Sequence, residues 1–359
     1  MGYVTHFFLG ANSGDGFQSL FRQLTEDRTL YDLVILKGGP GSGKSTFLKQ
    51  VGQAMEETGT PVEYIHCAGD PDSLDGVLLP ELGCGLVDGT PPHALEPVYA
   101  GAVQRCVDLG RFCDLTAAKA AREEIISRTD RIRLAYDRAF HSLKAARQVE
   151  LDARAAAWEA MDWRKLDRRI TGIISREIRR AGGQQGKTLR RFLGSATCQG
   201  TVRRFDTVEV LCPRVYELAD SYGLAGRALA RLQRAAEDKG WDTVACMAPE
   251  EPRRLEHLLI PGFGLAFVTS GPEGTYGGKV CRRVRVDAMT QPENRARLRF
   301  EGRMVRMLRE DAAAALQEAK VEHDSLEAIY NPYVDFDGVR ALAAVETARL
   351  ISWKERPAG

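Results

Sequence analysis

The chain of 359 residues has no apolar run approaching the length of a membrane span. It has almost no net charge, +1 at pH 7, so its bulk charge gives no reason to expect a nucleic acid or an anionic membrane as partner. Its eight cysteines include no C-x-x-C pair, and the closest two, Cys106 and Cys113, lack metal-site spacing. The first ten residues lack a basic n-region, and His6 stands where N-myristoylation requires Ser or Thr. These absences lead us to expect a cytoplasmic protein with reduced cysteines, no export signal and no lipid anchor. A guanine-reading N-K-x-D motif is also missing.

What the chain does have is a glycine loop in the right setting. Gly38, Gly39, Pro40, Gly41, Ser42, Gly43, Lys44, Ser45 and Thr46 satisfy G-x-x-x-x-G-K-[ST]. The run Leu33-Val34-Ile35-Leu36 before it reads as a buried strand, and Thr46–Val51 reads as the first turns of a helix. Strand, loop and helix start together make a phosphate cradle. Glycines let backbone N–H groups turn toward a phosphate, and the helix N-terminus adds partial positive charge. Lys44 is then expected on the β- and γ-phosphates and the Ser45 hydroxyl on Mg2+.

The second feature is an internal repeat. Phe8-Leu9-Gly10-Ala11 recurs as Phe192-Leu193-Gly194-Ser195, and Val77-Leu78-Leu79-Pro80 as Leu258-Leu259-Ile260-Pro261. Each copy runs into a helical stretch. From about residue 116 to 180 there is almost no Gly or Pro, and Ile132, Tyr136, Phe140 and Leu143 share a helical face. A break at Met161-Asp162-Trp163 is echoed at Val334-Asp335-Phe336. The expected fold is α/β, a P-loop NTPase with two tandem parallel-sheet modules each followed by a helical arm. Its divisions are 1–115 for the first module, 116–188 for the first arm and linker, 189–288 for the second module and 289–359 for the second arm. An offset of 183 sets Gly43-Lys44-Ser45 on Gly226-Arg227-Ala228 and Gly38 on Ser221, so the second loop is expected to have lost its chemistry.

A phosphate loop needs an acidic residue at a neighbouring strand end to complete the metal shell. Asp88, after Leu86-Val87, is the candidate, with a simple turn aspartate in Asp-Gly-Thr as the alternative. Asp70, Asp72 and Asp75 follow the strand Val62–His66, where one could act as a base, or they could form a helix-start turn. His66 and His93 read as structural. A metal site of His66, His93 and Cys67 has no support in spacing. The relaxed match at 181–188 follows a charged helix end and reads as a linker with a helix C-cap glycine. The arginines from Arg164 to Arg204, and Arg282, Arg283 and Arg285, alternate with acids and read as solvated helix faces.

Several segments together resemble a family of bacterial tandem P-loop proteins described as ATPases or ATP-binding proteins. They are Phe8–Asn12, Lys37–Thr46, His66-Cys67, Asp72–Gly76, Val87–His93, Pro97–Leu109, His323–Glu327 and Pro332–Phe336. The resemblance covers nearly the whole chain. It implies the P-loop NTPase fold and ATP binding, and it implies no further substrate. The family's second module generally resembles an intact loop, which Arg227 and Ala228 break here. The expectation is an ATPase with one Mg-ATP site, Lys44 and Asp88 its central residues, and Asp70 or Asp72 beside them. The rivals are a small-molecule kinase using one of those aspartates as base, and a nucleotide-sensing scaffold with little turnover. Helical arms could carry closure to a protein partner.

Overall fold

The computed structural model describes residues 2–291 and 295–355. The first module contains β1 (Val4–Phe8), β2 (Gly10–Ser13), β3 (Gly16–Ser19), α1 (Arg22–Glu26), β4 (Asp32–Lys37), α2 (Lys44–Glu57), β5 (Val62–His66), β6 (Leu74–Leu79), β7 (Cys84–Asp88) and β8 (Gln104–Asp108). Six of these strands form one sheet in the order β1-β5-β6-β7-β4-β8. Leu33, Val34, Ile35 and Leu36 are fully buried, as expected of a strand covered on both faces.

The sheet is mixed, where a parallel one was expected. β4 pairs parallel with β7 and β8, and β1 with β5, but β6 is antiparallel to both of its neighbours. The reason is chain length. Only residues 67–73 separate β5 from β6, and only 80–83 separate β6 from β7. A parallel crossover needs a dozen residues or more.

The first arm follows as α3 (Leu115–Ala118), α4 (Arg122–Glu159) and α5 (Trp163–Glu177). The second module then repeats the first element by element: β9 (Thr188–Arg191), β10 (Gly194–Thr197), β11 (Gly200–Arg203), α6 (Asp206–Leu211), β12 (Arg214–Ala219), α7 (Gly226–Glu237), β13 (Thr243–Ala248), β14 (Glu251–Ile260), β15 (Leu265–Ser270) and β16 (Arg282–Arg285). Its sheet, β9-β13-β14-β15-β12-β16, has the same order and the same mixture of directions. The chain ends in α8 (Arg295–Tyr330) and α9 (Phe336–Lys354). Of the expected second-arm helix, 292–294 lie outside the described residues. Residues 178–187 form the linker, Thr188 already opens β9, and α5 is capped by Ile178 and not by a glycine.

The arms are exchanged between the modules. α4 and α8 run antiparallel along each other, tied by Arg128–Glu322, Arg138–Glu318 and Arg309–Glu150 ion pairs. Past its break each arm reaches the other half. Leu166, Ile170 and Ile173 of α5 join the core around Leu229 and Leu232 of α7. Val339, Ala343 and Leu350 of α9 join the core around Phe47 and Val51 of α2. Asp162 and Asp335 cap these two helices, accepting from the backbone of Lys165 and Gly338. Each break is pinned to the opposite module by backbone pairs, Asp114 N–H to Tyr333 O with Asp335 N–H to Phe112 O, and Asp162 N–H to Met289 O with Gln291 N–H to Ala160 O.

The modules meet at a pseudo-twofold. Phe8 and Phe192 exchange both backbone hydrogen bonds, each 2.9 Å. Beside them Arg191 of the second module is ion-paired with Glu63 of the first, both nearly excluded from solvent.

Candidate functional site

The glycine loop spans residues 38–43 between β4 and α2. Gly43 caps α2 in the left-handed region, φ 82°, and Gly41 has φ 68°, conformations that a side chain at either position would resist. Lys44 is the first helical residue. Its Nζ donates to the carbonyls of Gly38 and Gly39, both 2.9 Å, and stands 3.8 Å from Asp88 Oδ2. The Lys44 and Asp88 side chains are each only 13% exposed. Ser42 Oγ donates back to the Gly39 carbonyl at 2.8 Å, tightening the turn. Pro40 and Gly39 lie in the loop, and Thr46 is exposed at the start of α2.

Register explains the Lys44–Asp88 approach. β7 is parallel to β4 with Asp88 opposite Leu36, so Asp88 ends its strand beside the loop. Asp88 makes the turn and also stands beside the loop. One oxygen makes the turn, accepting from Thr90 N–H at 2.8 Å and Thr90 Oγ at 2.6 Å, while the other faces Lys44. Burial raises the Asp88 pKa, with Lys44 acting against it.

Ser45 Oγ accepts from Leu74 N–H at 3.0 Å, which leaves the hydroxyl a lone pair. Ser45 and Asp88 thus present a hydroxyl and a carboxylate oxygen on neighbouring elements, hard donors of the kind Mg2+ takes.

One constellation went unrecognised in the sequence. Asp75 lies inside β6, and its Oδ2 is 3.1 Å from His93 Nε2, both side chains almost fully buried. Phe21 and Phe17 pack against the His93 ring. Burial works against a charge on His93, yet Asp75 outweighs it and the His93 pKa is raised, with Asp88 contributing in the same direction.

The other candidates are engaged elsewhere. Asp70 accepts from Asp72 N–H and Ser73 Oγ, a turn role, and is 3.4 Å from Lys320 of α8. Asp72 accepts from Gln199 Nε2 of the second module at 2.7 Å. His66 donates toward the Pro71 carbonyl and faces His6 at 3.0 Å, so it is directed away from His93. Burial, helped by Arg204, lowers the His66 pKa to about 4.

The second arm lies on the loop. Glu327 Oε1 accepts from Gly41 N–H at 3.3 Å, and a Cβ placed on Gly41 would meet Asn331 and the Glu327 backbone at 3.3 Å. Val339 and Phe336 lie over Gly43, 3.3 and 3.7 Å from a Cβ placed there. Nothing in the local sequence of α8 signals this contact, which depends on the exchange of arms.

In the second module the expected alignment needs correction. β4 ends at Lys37 and β12 at Ala219, and α2 begins at Lys44 and α7 at Gly226. The displacement is 182 in place of 183. Lys44 therefore meets Gly226, and Gly38 meets Asp220 rather than Ser221. Arg227 is not the counterpart of Lys44. It points outward to Asp167 at 3.2 Å and over the Trp163 ring. The loop also lacks the left-handed cap, since Ala225 has φ −69°. Its amides are occupied by its own carboxylate, as Asp220 accepts from Leu224 N–H at 2.9 Å and Ala225 N–H at 2.7 Å.

Among the described residues one group of side chains, His323, Asp324 and Glu327 on α8, is close enough to share a cation. No helix among them is long and apolar enough to cross a membrane. Comparison with known proteins found no matching family model, no matching curated protein and no matching solved structure.

Proposed function

We propose that the first module binds one Mg2+·ATP per chain and hydrolyses it, and that the second module keeps the framework without the phosphate chemistry. The observation that carries this reading is the placement of Lys44. It heads a helix behind a left-handed glycine, with its ammonium held between loop carbonyls and 3.8 Å from Asp88. Those carbonyl contacts are ones that a phosphate can replace, because the Lys44 ammonium sits on a flexible stem with three rotatable donors. The Glu327 carboxylate on Gly41 N–H supports the same conclusion, since the loop already receives an anion there.

In this reading the N–H groups of Gly39, Gly41, Ser42 and Gly43 and the α2 N-terminus hold the β-phosphate, and Lys44 bridges β- and γ-phosphates. Ser45 and Asp88 would hold Mg2+, which supplies charge neutralisation on the phosphate oxygens. The Asp75–His93 pair lies next to this site, and Asp75 favours the charged form of the imidazole. Catalysis is then positioning plus electrostatics, as in phosphoryl transfer generally. ATP is preferred to GTP for want of a guanine-reading motif.

The test is Lys44→Ala in the full chain. ATP affinity should fall by about 100-fold, ~2.7 kcal/mol, and phosphate release should stop. Arg227→Ala should change neither. Unchanged nucleotide binding in Lys44→Ala would overturn the reading. Free phosphate formed without an added acceptor identifies hydrolysis, and ADP formed only with an acceptor identifies a kinase.

A further inference from the structure

The second module carries a cavity of about 680 Å³ at the place that the glycine loop occupies in the first. Its floor is the 220–223 loop with the ends of β13 and β15, and its roof is α4 around Glu150 and α8 around Val305. A volume of this size holds a small organic ligand.

Its charges are unbalanced. Nine carboxylates and seven guanidiniums line it. The inner guanidiniums are already spoken for. Arg154 pairs with Glu251 at 2.7 Å, Arg203 with Glu256 and Glu273 at 3.1 and 3.2 Å, and Arg309 with Glu150 and Glu273 at 2.7 and 2.6 Å. Carboxylate capacity is left over. Glu250 accepts only the Gly14 N–H at 3.0 Å and has no ion-pair partner among the described residues. Glu256, 9% exposed, keeps Oε2 without a hydrogen-bond partner, with His257 Nε2 no nearer than 3.6 Å. A buried acceptor without a donor is costly, and a ligand donor would relieve it.

An anion would fit badly. Deep in the cavity it would find only the unpartnered Arg309 Nε without breaking those ion pairs, Arg299 and Arg306 being exposed, and the loop amides that would cradle a phosphate are taken by Asp220. Apolar wall is available as well, from Leu151, Tyr222, Pro249, Leu298 and Val305.

We infer that this cavity binds a small organic cation, an aliphatic amine or guanidine whose charged nitrogen is received by Glu250 and Glu256 and whose chain lies along the α4–α8 wall. Burial raises the Glu250 and Glu150 pKa values to about 7, so such a ligand would also expel protons as it binds near neutral pH. The site is independent of the glycine loop and of the nucleotide reading.

The experiment is calorimetric titration of the full chain with agmatine and with spermidine, in two buffers of different ionisation enthalpy, with citrate and AMP as anionic controls. Saturable binding of one equivalent of at least one cation, with proton release, is expected. Glu250→Gln should weaken it at least tenfold, ~1.4 kcal/mol. Gly302→Leu is a second variant that leaves every carboxylate in place. Gly302 lines the cavity from α8 with nothing within 4 Å of an added Cβ, so the leucine fills space that the ligand needs, and binding should be lost in a folded protein. Lys44→Ala should bind the cation as wild type does. Absence of saturable binding at millimolar concentration, equal affinity in both cavity variants, loss of binding in Lys44→Ala, or citrate or AMP competing for the cavity would each overturn the inference.

Discussion

Glu327 and Arg154 hold matching positions on the two arms. Glu327 touches Gly41 of the first loop, and Arg154 lies against Gly223 of the second, its Nε donating to the Tyr222 carbonyl at 3.2 Å. The same place on the arm carries an anion over one loop and a cation over the other. Over the first loop the anion competes with a phosphate for the same amide. Glu327→Gln should therefore tighten ATP binding by about 3- to 10-fold, ~0.7–1.4 kcal/mol, since the amide keeps an acceptor and loses the charge. Nucleotide titration of the folded variant measures this, and weaker binding would mean that the arm contact assists the nucleotide instead.

Asp220 fills its own loop. Asp220→Ala strips the acceptor from the amides of Leu224 and Ala225, both buried, and should cost about 1–3 kcal/mol in urea unfolding. It should not create a second nucleotide site, because no lysine follows. A binding stoichiometry of two nucleotides per chain in this variant would contradict that account.

The Arg191–Glu63 pair is buried between the modules. Removing one charge strands the other, so Arg191→Met alone should destabilise by about 3–5 kcal/mol, while Arg191→Met with Glu63→Leu should recover most of the loss. Chemical denaturation of the three proteins tests the coupling directly.

Buried histidines and glutamates make stability depend on pH in opposite directions. His257 is fully buried and its pKa is held down to about 4, by burial first, with Glu256 opposing. Its folded value lies below the unfolded one of about 6.5, so its contribution is complete above pH ~6.5 and is lost as pH falls through about 4. The full effect is on the order of 3 kcal/mol. Glu250 runs the other way. Burial raises it to about 7, so its contribution is complete below pH ~4.5 and is lost as pH rises through about 7. His257→Gln should flatten the acid side of the urea-midpoint profile, and Glu250→Gln the neutral side. Profiles parallel to wild type would refute both assignments.

Legibility followed locality. The β4 strand, the glycine loop, the start of α2 and the turn at Asp88 lie within a short stretch whose residue types constrain one another, and all four could be read directly. The two breaks could be read for the same reason, since Asp162 and Asp335 each cap the helix that follows. The mixed sheet was missed although the short β5–β6 connection was visible, because apolar runs carry no sign of strand direction. His93 was set aside because its partner Asp75 reaches it only through the pairing of β6 with β7. Arg227 was set opposite Lys44 because the offset between the copies drifts along the chain, from 184 at Phe8 and Phe192 to 182 at the loop, and 183 was carried across it. Glu327 could not be found at all, since the face it presents is decided by which module its arm reaches.

The exchange of α5 and α9 also says something about ancestry. If the short linker 178–187 is cut in thought, each half offers the other the same helix, and the Phe8–Phe192 and arm-break pairs become isologous contacts. That is the construction of a domain-swapped C2 dimer. The chain is built like such a dimer with its two subunits joined head to tail. With both halves in one chain neither has to match the other, and one loop carries a lysine where its counterpart is filled by its own aspartate.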